Sequence, residues 1–164
     1  GQKPDDVNAY AASSFYAVDR FASYKTDWGA FYREGGLVLS DRYTTSNAVH
    51  QCSKLPPAQW DGFLNWLFDF EYKKIGIPEP DLVLYLAVDP EVSQKLLENR
   101  YHGDESKKDI QEKDREYMAR SRAAAEYCAR TLGWQRIECT CAGRAMRPVE
   151  EVNAEILAKT DRIL

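Results

Sequence analysis

Asp81-Leu82-Val83-Leu84-Tyr85-Leu86-Ala87-Val88 carries its one charge at its first position and stops at Asp89-Pro90. A continuously apolar run of that length, without polar alternation, predicts a strand buried on both faces, as in a parallel sheet. Ile77-Pro78-Glu79-Pro80 leads into it as a linker, and Glu91 to Asn99 restarts a helix after it. Working outward, Leu37-Val38-Leu39-Ser40 reads as a second buried strand, breaking abruptly into Asp41-Arg42-Tyr43. Gln135 to Thr140 reads as a third.

Helical spacing fills the intervals. Val7, Ala11, Phe15, Val18 and Ala22 recur at that spacing, which predicts one buried stripe on a helix opened by Asp5 and Asp6. A short helix over Asp27 to Glu34 is stopped by Gly35 and Gly36. Thr44 to Ser53 forms another, and Pro57 suits the first turn of a helix carrying Trp60, Phe63, Leu64, Leu67 and Phe68. Lys113 to Leu132 is a long helix ended by Gly133, and Pro148 to Ile163 a last one with Val149, Val152, Ile156 and Leu157 inward. Tyr101 to Ile110 is polar, charged and aperiodic, a loop. Strands alternating with helices predict an α/β fold, a parallel sheet flanked by helices.

The chain has 164 residues, 44% hydrophobic and 29% charged, which suits one soluble globular domain over residues 1–164. A net charge of −4 argues against a nucleic-acid partner. No apolar run approaches the roughly 20 residues that span a bilayer, which argues against a membrane partner. The four cysteines fit no common zinc spacing, and His50 and His102 are the only histidines. The thiols read as reduced, in a cytoplasmic protein, with Cys139 and Cys141 on one face of a strand.

In open parallel sheets ligands bind beyond the carboxyl ends of strands, and Asp41-Arg42 occupies such an end. An Asp there can hold Mg2+ directly or through water, and the Arg can fork onto a phosphate. A structural ion pair or a capping Asp fits the position equally well. Tyr16 and Arg20, one helical turn apart, could offer a ring face and a planar donor to a base; a surface cation–π contact is the plainer reading. Lys107, Lys108 and Asp109 lie in the polar loop, which reads as solvated surface or as a cationic lid. Arg120 and Arg122 are two apart, so at least one is exposed or salt-bridged.

Four segments together are more specific. Phe15-Tyr16-Ala17-Val18-Asp19-Arg20, Ser40-Asp41-Arg42-Tyr43-Thr44-Thr45-Ser46-Asn47-Ala48-Val49-His50-Gln51, Pro80 to Leu86 with Val88-Asp89-Pro90-Glu91-Val92, and Arg120-Ser121-Arg122 resemble, in order, motifs of the thymidylate kinase family. The resemblance covers essentially the whole chain and implies a P-loop nucleoside monophosphate kinase-like fold that, in the complete enzyme, transfers the γ-phosphoryl group of ATP to dTMP, with Mg2+. It implies that Tyr16 stacks on thymine, that Arg20 contacts the base's carbonyl edge, and that Arg42 grips the dTMP phosphate. Asp41 would organise Mg2+, while Ser46, Asn47 and Gln51 would line the thymine site. His50 falls where the family often carries an aromatic. Arg100, Lys107 and Lys108 would belong to a lid over about residues 99–112. Arg144 would follow the third strand on the adenine side. Related enzymes pair as homodimers through helices, and the ring-rich stretch Trp60 to Phe70 suits either such a contact or the core. None of the nine glycines falls in a G-x-x-x-x-G-K-[ST] pattern, so the fold is expected to lack its first strand and P-loop and to leave a gap in the sheet. Two other readings remain: another nucleoside or nucleotide kinase of the same fold, and a non-catalytic nucleotide-binding domain.

Overall fold

A computed structural model of the chain describes residues 6–100, 115–142 and 145–163. They fall into two compact units: residues up to Glu79 with Glu116–Ala125, and Pro80–Arg115 with Glu126–Leu164.

The first unit is helical. Helix α1 (Ala9–Ser23) starts at Asn8, whose side-chain oxygen accepts the Ala11 N–H, the capping bond that an extended Asn makes. A π-helical turn, Tyr24–Trp28, joins it to α2 (Gly29–Arg33), which ends where Gly35 takes a left-handed φ of 88°. Helix α3 (Thr44–Cys52) and helix α4 (Trp60–Phe68) follow, the latter entered through Pro57 as expected. A second π-helical stretch, Asp69–Ile75, continues α4 to Gly76.

Packing decides which faces turn inward. Trp60, Phe63, Leu64 and Leu67 of α4 are buried as their spacing predicts, so this stretch is core. On α1 the inward face is Ala9, Ala12, Ser13 and Ala17, not the expected stripe. Phe15 and Val18 of that stripe are 72% and 63% exposed. Small side chains let α1 and α3 approach closely, and that contact outweighs burial of the larger ones. Leu37 to Ser40 is not a strand: it carries no ladder, and Leu39 stands in solvent. A strand needs a neighbour for its N–H and C=O groups, and the described residues of this unit offer none.

The second unit contains the parallel pairing that the sequence predicts. Strand β1 (Leu84–Ala87) pairs in parallel with β2 (Gln135–Glu138), Leu84 opposite Gln135 and Ala87 opposite Glu138. Between them in sequence lie α5 (Pro90–Arg100) and α6 (Arg115–Thr131), and after them α7 (Val149–Thr160). Residues 116–125 of α6 group with the first unit and the rest with the second. Gly133, with a φ of 69°, turns the chain from α6 into β2.

Both strands are shorter than expected, and burial is partial. Ala87 and Ile137 are sealed, but Leu86 is half exposed, because only two strands pair among the described residues. Helix α7 packs on β2, yet Val149 and Leu157 face solvent, since two short strands cover little of the helix. Arg147 at its start donates to the Glu138 carbonyl at 2.6 Å and to Glu155 at 2.8 Å, which fixes the helix to the strand end. Cys139 is buried and Cys141 exposed, so they do not share a face: the strand ends at Glu138 and its alternation ends with it. None of the four cysteines forms a disulfide. No helix among the described residues is long and apolar enough to cross a membrane.

Candidate functional site

Most of the expected acceptor-site residues lie in the first unit, on α1, α3 and the turn before α3. The turn is the most constrained point. Arg42 has a φ of 73°, and it is the one non-glycine residue with positive φ among the described residues. A residue with a Cβ is disfavoured there by roughly 1–2 kcal/mol, and such strain gathers at functional turns. Ser40 holds the turn, its hydroxyl donating to the Arg42 carbonyl at 2.6 Å. Tyr43 locks the far side, donating to the Pro78 carbonyl at 2.9 Å with its ring edge-on to Trp28. Burial, reinforced by the Glu71 carboxylate, pushes the Tyr43 phenol well above its ordinary value, so it stays a donor.

The effect is to present Asp41 and Arg42 to solvent. Both are exposed, and neither side chain makes a hydrogen bond or ion pair among the described residues. Among the described residues, the structural ion pair that the sequence left open is not formed. Helix α3 begins two residues on, and its cap residue Tyr43 makes no side-chain bond to the first turn. An unpaired guanidinium beside a helix N-terminus without a side-chain cap is a favourable place for a phosphate. Asp41 contributes a single carboxylate, and no group of three or more potential ligands occurs among the described residues. A single carboxylate is one of the ways in which Mg2+ can be held beside substrate phosphates.

A buried polar cluster sits behind this turn. Glu71 is fully buried, and its carboxylate accepts from Arg20 twice, Nε to Oε2 at 2.7 Å and Nη2 to Oε1 at 2.5 Å. Thr44 Oγ1 donates to Oε2 at 3.0 Å, and Asn47 Nδ2 reaches Oε1 and the Ser13 carbonyl, each at 3.4 Å. Arg20 is thus a buried ion-pair partner, not the surface cation–π contact open from its spacing to Tyr16. Tyr16, one turn earlier, is 56% exposed and makes no ring contact among the described residues. Gln51, one turn after Asn47, is buried with its Oε1 unpartnered, as is the Ser13 hydroxyl. Ser46 is half-buried.

His50 does not join the cluster. Its Nδ1 lies 3.0 Å from the Tyr117 hydroxyl, and the two rings are nearly parallel at 6.3 Å. Burial, then the positive charges of Arg42 and Lys54, hold its pKa below the ordinary 6.5. The native imidazole therefore resists a proton that the unfolded chain takes up below about pH 6.5. Stability from this site is complete above that pH and is lost as pH falls toward the folded value. The slope stays under the one-proton limit of about 1.4 kcal/mol per pH unit, because the ring keeps some solvent contact. Melting midpoints between pH 7.5 and 5 should fall less steeply in His50→Gln than in the wild type; equal slopes would refute the assignment.

Sequence reasoning missed Glu71, Thr44 and Ser13. Glu71 was signalled, since it continues the buried spacing of Leu64 and Leu67, and a carboxylate on a core stripe demands partners. Arg100 closes α5 and is exposed, and Arg120 is ion-paired with Glu116 at 2.7 Å. Lys107, Lys108 and Arg144 lie outside the described residues. A groove of about 460 Å3 in the first unit, lined in part by Phe68, Tyr72, Lys73 and Pro78, takes in none of the expected site residues.

Comparisons with known proteins place the chain in a family. A sequence profile of thymidylate kinase matches residues 2–156. The thymidylate kinase of Mycobacterium tuberculosis (strain H37Rv) is 30% identical over 129 residues, 77% of this chain and 59% of that protein. A probable thymidylate kinase of Pyrobaculum calidifontis is 26% identical over 149 residues, covering 91% of this chain and 66% of its own length. One from Staphylothermus marinus is 33% identical over 88 residues, 54% of this chain and 40% of its own. The chain thus spans about 59% of the M. tuberculosis protein. With a match running through both units, the chain belongs to the thymidylate kinase family.

Proposed function

We propose that the protein takes part in transferring the γ-phosphoryl group of ATP to dTMP, and that the first unit binds the dTMP. The observation that carries the reading is the Arg42 guanidinium, unpaired among the described residues and carried on a positive-φ turn beside the N-terminus of α3. In the transfer, a dTMP phosphate oxygen forms a bond to the γ-phosphorus as the bond to the β-phosphate oxygen breaks, leaving ADP. Such a step needs in-line positioning and charge cancellation more than covalent help.

Arg42 grips the acceptor phosphate, and Asp41 offers an oxygen to Mg2+ or its water. The metal supplies charge neutralisation on the phosphates when bound. Tyr16 offers its open ring face to thymine, and Arg20 turns an edge of its guanidinium to a base carbonyl. Asn47, Ser46 and the unpartnered Gln51 oxygen complete the polar lining. Arg100, Lys107 and Lys108 act from the lid and Arg144 on the adenine side, within one kinase domain of P-loop nucleoside monophosphate kinase type. Four cysteines outside any disulfide are in keeping with a cytoplasmic setting. The exposed Phe15 and Val18 on α1 support a homodimer; a single-chain mass by sedimentation would overturn that part.

The test is a thermal-shift titration with dTMP, using dCMP as the control. A cooperative melt raised by dTMP and not by dCMP is expected. A melt indifferent to dTMP would defeat the proposal.

A further inference from the structure

We infer that Glu71 is a positioning residue that sets the hydrogen-bond polarity of the base site, and so selects a carbonyl/N–H pyrimidine edge over an amino/N edge. The inference rests on the reading of the first unit as the dTMP site.

The argument is one of donors and acceptors. An ionised carboxylate can only accept. Here both oxygens are engaged, Oε1 by Arg20 Nη2 and Asn47 Nδ2, and Oε2 by Arg20 Nε and Thr44 Oγ1. The Asn47 amide has no freedom to flip: its NH2 lies between Oε1 and the Ser13 carbonyl, both acceptors at 3.4 Å, and an amide oxygen turned that way would meet only lone pairs. What remains is fixed by elimination. Arg20 keeps Nη1 and its two hydrogens as a donor, and Asn47 keeps Oδ1 as an acceptor. Both side chains are tethered to the same Glu71 oxygen, so a donor and an acceptor of assigned polarity are held close together. A thymine or uracil edge presents a carbonyl oxygen beside an N–H, the complement of that pair. A cytosine edge presents an amino group beside a bare ring nitrogen, the reverse. Glu71 touches neither base; it acts through Arg20 and Asn47.

The variant that isolates this is Glu71→Gln, close in shape but with one acceptor oxygen replaced by a donor. Placed at the Oε1 position, its NH2 confronts both the guanidinium and the Asn47 amide, and so removes one of the two acceptors that fix the orientation of Asn47. The dissociation constants for dTMP and dCMP are measured by calorimetry on wild type and variant. The expected result is a fall of about 10-fold or more in the dTMP-to-dCMP preference, of the size that misassigned polar contacts produce. A merely structural role would weaken both nucleotides alike and leave the ratio unchanged, and that outcome in a cooperatively melting Glu71→Gln overturns the inference. If Glu71→Gln does not fold, Thr44→Val takes its place, removing one donor from Oε2 with little change of outline. It should lower the preference by about 2- to 5-fold, the effect of loosening one neutral hydrogen bond; an unchanged ratio again overturns the inference. A wild-type protein with no preference for dTMP overturns the dTMP reading and this inference together, whereas a wild-type preference that survives in the variants removes this inference alone.

Discussion

If the proposed reading holds, replacing Arg42 by alanine should lower the rate of phosphoryl transfer to dTMP by on the order of 10²-fold or more, the loss expected when one preorganised donor to developing charge is removed. The substitution is unusually clean. The Arg42 side chain has no hydrogen-bond or ion-pair partner among the described residues, so alanine orphans no buried group. The backbone strain is untouched, since alanine at a φ of 73° carries the same Cβ penalty as arginine. Ser40 still donates to the carbonyl of residue 42, and Tyr43 still anchors on Pro78. The melting temperature should therefore stay within the range of a surface substitution while turnover collapses. Arg42→Lys separates charge from geometry: a point charge cannot fork onto two phosphate oxygens, so it should recover only part of the rate. Steady-state turnover with ATP and dTMP, beside a melt of each variant, checks all of this. Near-normal turnover in Arg42→Ala would end the assignment of this turn to the acceptor phosphate.

How far this site was legible depended on whether local pattern or packing decided each feature. The turn Asp41-Arg42 and helix α3 could be read directly, because an apolar run breaking into charges and a following helical period are local signals. The positive φ at Arg42 could not, because no glycine marks it; it is imposed by the Ser40 and Tyr43 contacts. The helix carrying Tyr16 and Arg20 was legible as a helix, but its inward face was not. Two stripes compete on α1, one with Phe15 and Val18 and one with Ala9, Ala12, Ser13 and Ala17, and closeness to α3 favours the small one. Size alone ranked them the wrong way. Leu37 to Ser40 looked as strand-like as Leu82 to Val88, yet only the latter segment meets a partner in β2 among the described residues. Strand pairing is a relation between two segments, and one segment cannot report it. Glu71 could have been found by asking why a carboxylate continues the spacing of Trp60, Leu64 and Leu67. Its partners Thr44 and Arg20 are 27 and 51 residues away, beyond any local window.

That separation makes the Arg20–Glu71 pair the point where the fold and the site depend on each other most. Arg20→Ala should destabilise the protein by about 3–5 kcal/mol, the usual consequence of leaving one member of a buried ion pair uncompensated. The geometry favours the upper part of that range. Glu71 is 0% exposed and the Arg20 side chain 15%, so water cannot replace the guanidinium without entering the contact between α1, α3 and the segment after α4. Thr44 and Asn47 still donate to the carboxylate, but two neutral donors do not substitute for a bidentate cation. A double variant tests the physical cause. With Glu71→Leu added to Arg20→Met, no charge remains buried, and much of the loss should be recovered. Recovery should stop short of wild type, because the Thr44 hydroxyl loses its carboxylate acceptor while staying buried, and the Asn47 amide loses one of its two acceptors. Urea unfolding of Arg20→Met, Glu71→Leu and the double variant gives the coupling directly. Additive losses, or an Arg20→Ala penalty below about 1 kcal/mol, the scale of an exposed pair, would show that the pair is not the buried anchor described here.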